Sequence, residues 1–445
     1  MRRGVCWACQ RASQPAISKH MTTLQLPRRA TAHPRPLRIS STAAALWLTT
    51  AMLHAADWNQ WRGPHRDGIA TGFKAPATWT AGSLAKRWSV AVGEGHSSPV
   101  IVGDRVYVFT RENDKEVTRC LALADGKVVW QEAYAAPYEM NPAARNHGKG
   151  PKATPAVVDG RIFSHGIDGQ VSALDAKTGA VLWRKDFKGE FKERSPTFGA
   201  SASPLVDGNN VIVHVGGAGS GALMAFDVAT GKVNWKWDGD GPAYTSPIIA
   251  TIGGIRQLIT QSQQYCLAVS PDSGRLLWKI PFTTPYEQNI VTPVVAGDLV
   301  IFAGIQKATF AVKPGASGEP AAAWDCREIT MYMSSPVLAG TTLYGMSDKQ
   351  RGCLFALKAG SGEVTWKSEG RLGDNASLTD IGPALLVVTT GGDLLVEEKT
   401  ATGLKELAKI RVSDSFVWAS PALAADYILI KDKTNLIAYK VAGGG

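Results

Sequence analysis

Between residues 97 and 441 one pattern of apolar and polar positions recurs: a short apolar run, a Gly or Asp turn, an alternating run, then a hairpin ending on a large aromatic. The first half reads "SSPVIVGDRVYVF" from 97, "TPAVVDGRIFS" from 154, "SPLVDGNNVIVHV" from 203 and "TPVVAGDLVIFAG" from 292. The second reads "ALADGKVVW" (122–130), "ALDAKTGAVLW" (173–183), "AFDVATGKVNW" (225–235), "AVSPDSGRLLW" (268–278), "AVKPGASGEPAAAW" (311–324) and "ALKAGSGEVTW" (356–366). Short runs of period two, bounded by Gly, Asp and Asn turns, predict four antiparallel strands per unit. Asp175 and Asp227 are placed to bond backbone N–H groups just ahead, and Gly179 and Gly231 to take the positive φ that closes the turn.

Counting gives the architecture. Trp88, Trp130, Trp183, Trp235, Trp278, Trp324 and Trp366 stand 42 to 53 residues apart, a period of stacked supersecondary units, none of which buries both faces alone. Prolines at 99, 155, 204, 247, 293, 336, 383 and 421 mark eight units. Strands of this type inside the units reach only seven, six ending on Trp and the last on Leu407, while "LAKRWSVAV" at 84–92 belongs to no unit. The N-terminal strand therefore completes the last unit. The prediction is an all-β, eight-bladed β-propeller of four-stranded antiparallel blades over residues 84–445, with about 45 residues per blade. Each indole, roughly 200 Å² of surface, is expected to dock in the seam between its blade and the next.

The formal charge of +10 invites a nucleic-acid partner until its location is considered. Residues 1–56 hold eight arginines and lysines and no acid; without them 40 basic face 38 acidic side chains. A charge of +2 on the remainder argues against nucleic acid. The leader runs from its arginines into the uncharged "ISSTAAALWLTTAMLHAA" (39–56) and then Asp57, a secretory signal pattern with cleavage near Ala55 or Ala56 and Met21 as a candidate start. As an uncleaved anchor the stretch is only moderately apolar. Residues 57–83 are expected to be an N-terminal segment packing on the ring. Of the cysteines after the leader, Cys120, Cys266, Cys326 and Cys353, none forms a C-x-x-C pair; one disulfide is conceivable, but most read as small buried apolar residues.

"ALDAKTGAVLW" and its copies resemble the tryptophan-docking repeat of the pyrroloquinoline quinone (PQQ) propeller superfamily, and the likeness covers residues 84–441. "DWNQWRGPHRDG" after the leader resembles the start of exported bacterial PQQ-like repeat proteins. The superfamily holds quinoprotein dehydrogenases and BamB-like proteins of outer-membrane assembly, so the likeness implies the fold more than an activity. Quinone-using members carry adjacent cysteines and a calcium held by Glu, Asn and Asp; this chain has no adjacent cysteines and no haem-attachment motif. BamB-like members are lipid-anchored through a cysteine after the signal; here no cysteine follows Asp57 until Cys120.

Nucleophile elbows, P-loops, dinucleotide fingerprints and H-E-x-x-H are absent, and no catalytic or metal-ligating set is predicted. The repeat offers another probe: positions made equivalent by the architecture should be alike unless something besides packing selects them. Three residues before each marker proline stand His96, Lys152, Ser201, Tyr244, Ile290, Met333, Asp380 and Trp418, which share nothing. Converging on the channel mouth, with Asn289 beside them and Arg145, His147 and Lys149 carried over it by residues 141–152, they are candidate ligand contacts. The other reading is sequence drift in a wet channel. The expected function is an exported, monomeric, non-catalytic scaffold, periplasmic or extracellular without a lipid anchor, that binds an envelope or periplasmic protein and needs no cofactor. The alternative is a small-molecule site or quinoprotein oxidoreductase using PQQ with calcium.

Overall fold

A computed structural model describes residues 57–315 and 318–442; the predicted leader, its cleavage site and Met21 lie outside the described residues. Eight four-stranded antiparallel sheets follow one another. Blade 1 is Val100–Val102, Arg105–Glu112, Lys115–Ala122 and Val128–Ala135, and six more repeat that order. First strands touch one another between blades 8 and 1, 1 and 2, 2 and 3, 5 and 6, and 6 and 7, so the first strands line the channel and the fourth forms the rim. Blade 8 takes Ala422–Ala424, Tyr427–Lys431 and Asn435–Val441 from the C-terminus and its rim strand, Leu84–Ala91, from the N-terminus, with Trp88 opposite Ala438.

The hairpin wording has the expected physical cause. Asp175 Oδ1 accepts from the backbone N of Lys177 and Thr178 at 3.0 and 2.8 Å, and Gly179 sits at φ 77. The next turn repeats this with Asp227, Ala229, Thr230 and Gly231 at φ 68. These glycines serve packing too. The indole of Trp130 in blade 1 lies over Gly179 of blade 2, where a Cβ would come within 2.5 Å of the ring, and its Nε1 donates to the Ala176 carbonyl at 3.1 Å. Trp183 meets Gly231, Trp235 meets Gly274, Trp324 meets Gly362, Trp366 meets Gly403 and Trp88 meets Gly126 in the same way. Trp278, also buried, instead donates to Gln257 Oε1 at 2.7 Å.

Two positions differ from the sequence expectation. In every rim strand a bulge falls just before the tryptophan, so in blade 7 Leu407 occupies the bulge and Ala408 takes the tryptophan's place opposite Val396. Leu407 is accordingly exposed and Ala408 buried in a cluster with Trp79 and Trp88. The inner strand of blade 7 is Ala376–Asp380, so Pro383 follows that strand where the other marker prolines precede theirs. The four cysteines are buried and unbridged. Among the described residues no helix is long and apolar enough to cross a membrane.

Candidate functional site

The residue before each marker proline explains the marker. In seven blades it is Ser or Thr, and in five of these its hydroxyl accepts a backbone N–H from the preceding blade, beginning with Ser98 N to Thr154 Oγ1 at 3.1 Å, Thr154 N to Ser203 Oγ at 2.9 Å, Ser203 N to Ser246 Oγ at 3.0 Å and Thr292 N to Ser335 Oγ at 3.1 Å. Ser420 N to Ser98 Oγ, 2.9 Å, carries this belt across the closure between blades 8 and 1. Blade 7 has no such hydroxyl; Asn375 Oδ1 accepts from Met333 N, and Ala376 N donates back to Ser334 Oγ, both at 3.0 Å. Rigid inner strands thus fix the side chains just upstream of them.

The other end of the channel is closed by residues 57–75. Trp58 pairs with Ile101 of blade 1 in a two-way backbone bridge, Asn59 bonds Val157 of blade 2, Ala70 N donates to Asp380 O of blade 7 at 2.8 Å, and Lys74 N to Ala425 O of blade 8. Between these anchors Trp61 Nε1 donates to Thr292 Oγ1 at 3.1 Å. Arg62 donates to the carbonyls of Asp67 and Pro336, and Arg66 to those of Ser203 and Pro204 and to Gln60. Both arginines are 4% exposed. Burial lowers Arg62 to about 10; burial and then the neighbouring Arg62 charge lower Arg66 to about 9.

Above this floor is a cavity of about 570 Å³, within the range of small-molecule sites. His96, Lys152, Ser201, Tyr244, Ile290, Met333 and Trp418 line it together, joined by His147 from the 3-10 turn Pro142–His147. His147 and Trp418 stack edge to face with centroids 4.8 Å apart, and His96 bonds the His147 carbonyl at 2.8 Å. Lys152 Nζ donates to the Phe198 carbonyl at 2.6 Å. Burial holds its ammonium down to about 8, and burial followed by the Lys152 charge takes His96 to about 3, so at neutral pH this histidine is uncharged. A wider vestibule opens outward past Arg145, Arg351, Arg371, Lys433 and Phe416; Lys149 lines neither space.

Two sequence-selected residues lie elsewhere. Asp380 ends the inner strand of blade 7 at the plugged end, where it accepts both Lys399 Nζ contacts at 2.8 Å; the "GP" at 382–383 had placed it at the mouth. Asn289 is fully buried, its Nδ2 donating to the carbonyls of Ser262, Gln263 and Phe282 and its Oδ1 accepting from Thr284 Oγ1. It staples the loop that presents Tyr286. Sequence reasoning missed Trp61, Arg62, Phe198, Tyr332 and Asn375 in the lining; the one cue was the absence of the Ser/Thr hydroxyl before Pro383.

A family profile described as outer membrane protein assembly factor BamB matches residues 113–368, more than half the chain. The chain belongs to this BamB-like family of PQQ-repeat propellers. It is similar to outer membrane protein assembly factor BamB of Yersinia pestis, 24% identical over 394 residues, covering 83% of this chain and 92% of that protein. It is also similar to methanol dehydrogenase [cytochrome c] subunit 1 of Methylorubrum extorquens, 31% identical over 178 residues, but there it spans only 26% of that subunit. Among solved structures, quinohemoprotein alcohol dehydrogenase from Comamonas testosteroni superposes with a TM-score of 0.64 at 15% identity, covering 87% of this chain and 81% of that one. At that identity the likeness shows the fold.

The lining of this BamB-like propeller does not fit a quinone held with calcium. It contains no Asp or Glu and no cysteine, and among the described residues no three His, Cys, Asp or Glu side chains converge as a metal site. A calcium ion demands several oxygen ligands, carboxylates foremost. The four cysteines, which alone could contact a quinone as a sulfur pair, are each buried and separate within blades.

Proposed function

We propose that this BamB-like propeller is an exported, non-catalytic scaffold of the cell envelope that receives a protein partner on its open face. One observation carries the reading. Tyr286 and Phe416, 76% and 66% exposed, are the two most exposed large hydrophobic residues described, and each borders the open channel end. Tyr286 is held at φ 57, with Glu287 also at φ 57, by the buried Asn289 staple. Rigidly presented aromatics at the rim of a concavity are what partner recognition uses. The plug removes the opposite channel opening as an alternative, and similarity to a BamB over 92% of its length supports the same kind of work.

The test is quantitative capture from envelope extract on the full chain and on a Tyr286→Ser/Phe416→Ser variant of equal melting temperature. Captured proteins are expected to fall about tenfold or more with the variant, the loss that follows removal of interface hot spots. Equal capture by both, or a loss produced only by changing the rim residues Val128 and Val181, contradicts the reading.

A further inference from the structure

Each blade ends in a rim strand with one free edge, and a free edge is a template for a further strand unless something blunts it. Six of the eight rim strands carry Lys or Arg. Blade 5 has neither, but its rim strand, Ala321–Cys326, is only six residues long and carries the exposed Asp325. The rim strand of blade 1, Val128–Ala135, runs for eight residues, "VVWQEAYA", with no Lys, Arg or Pro. The other two rim strands of eight residues or more hold Lys86 and Arg87 in blade 8 and Lys405, Lys409 and Arg411 in blade 7. After the bulge at Val129 the blade 1 register against Lys115–Cys120 is unbroken from Trp130 to Ala135.

The ladder fixes which backbone groups are free. Ala136 N donates to the Asp114 carbonyl at 2.9 Å. Because bonded pairs alternate along antiparallel strands, Trp130, Glu132 and Tyr134 turn their N–H and C=O groups toward Lys115–Ala122. Gln131, Ala133 and Ala135 turn theirs outward, and among the described residues nothing bonds them. All three are exposed and uncharged. The strand is pinned from its other side: Trp130 Nε1 donates to the Ala176 carbonyl at 3.1 Å, Glu132 pairs with Arg184 at 2.9 Å, and the same guanidinium lies 4.2 Å over the Tyr134 ring. We infer that this edge accepts an extended, uncharged segment of a partner protein as a fifth strand of blade 1. Three outward N–H and C=O pairs call for about six residues of extended chain. Glu132, the one charged residue of the strand, is already paired, so no charge selects an acidic or basic segment, and the exposed Val128 and Val129 add apolar contact. A second copy is a poorer occupant, because pairing this strand with its own twin covers far less than the roughly 1,200 Å² that stable protein pairs bury. The edge lies on the rim, so the inference is independent of docking at the open face.

Hydrogen exchange on the full chain, with and without a capped octapeptide of alternating threonine and valine, tests the edge. At about ten times its dissociation constant the peptide is expected to slow exchange at the Gln131, Ala133 and Ala135 amides about tenfold. Ala133→Pro deletes one outward donor and no inner bond, as edge strands tolerate, and is expected to abolish the slowing. Ala133→Lys, which leaves the backbone as it is, is expected to weaken binding severalfold and carries the test if the proline variant does not fold. Tyr286→Ser/Phe416→Ser is expected to bind the peptide like the parent, which separates this edge from the open face. No slowing at the three amides, equal slowing at Ser89 and Ala91 of the blade 8 rim, or binding unchanged by substitution of Ala133 overturns the inference. So does slowing that grows with protein concentration in the absence of peptide, which assigns the edge to a second copy.

Discussion

Trp235→Ala is expected to destabilise the ring by about 3 to 5 kcal/mol, the range for truncating a buried large aromatic. The indole is 7% exposed, lies against Gly274 of blade 4 and donates from Nε1 to the Pro271 carbonyl at 2.8 Å. Truncation removes its apolar surface from the seam and leaves that carbonyl without its donor. Neighbouring glycine cannot fill the gap, since it has no side chain and its φ of 68 is strained for any residue that has one. Equilibrium denaturation of the variant against the parent measures it, and a change below about 1 kcal/mol would show that the indole contributes little between blades.

Asp380→Ala is the second large effect, again about 3 to 5 kcal/mol, as when one partner of a buried ion pair is removed. The Asp380 side chain is 6% exposed and Lys399 17%, with both carboxylate oxygens 2.8 Å from Nζ. Asp380 Oδ1 also accepts Gly382 N at 2.8 Å. Removing the carboxylate strands a desolvated ammonium and loosens the strand end to which Gly68 and Ala70 of the plug are bonded. The sequence expectation of a mouth ligand predicts the opposite signature, lost binding at unchanged stability. Here stability falls, and at temperatures where the variant is folded, capture of partners on the open face is unchanged. Melting curves and capture on the same sample separate the two.

What the chain reveals in advance depends on whether a feature is local. Blade number, closure by the strand holding Trp88, and the turn roles of Asp175 and Gly179 all rest on contacts a few residues long, repeated often enough to be counted. The blade 7 errors come from near-matches to that repeat. "GP" at 382–383 mimics a marker but lacks the Ser or Thr hydroxyl that bridges blades elsewhere, and one bulge residue moves the tryptophan position from Leu407 to Ala408. The position probe brought seven lining residues together because inner-strand starts are geometrically equivalent. It misplaced Asp380 through the blade 7 register and could not distinguish a lining residue from the internal staple Asn289. The expectation for residues 57–83 was packing on the ring; that the segment crosses the channel end was not legible. Arg62 reaches the Pro336 carbonyl across 274 residues and Trp61 reaches Thr292 across 231, and neither pairing leaves a periodic trace.

The channel is open at one end, with a floor built from residues 57–75. Hydrogen exchange on the full chain reads this directly, because an amide exchanges at the rate its own hydrogen bonds open. The Trp58 and Ala70 amides, bonded to Ile101 and Asp380 carbonyls at 2.9 and 2.8 Å, are predicted to be as protected as the inner strands they join. Rapid exchange at both, with the inner strands still protected, would show a channel open from end to end and would contradict the account.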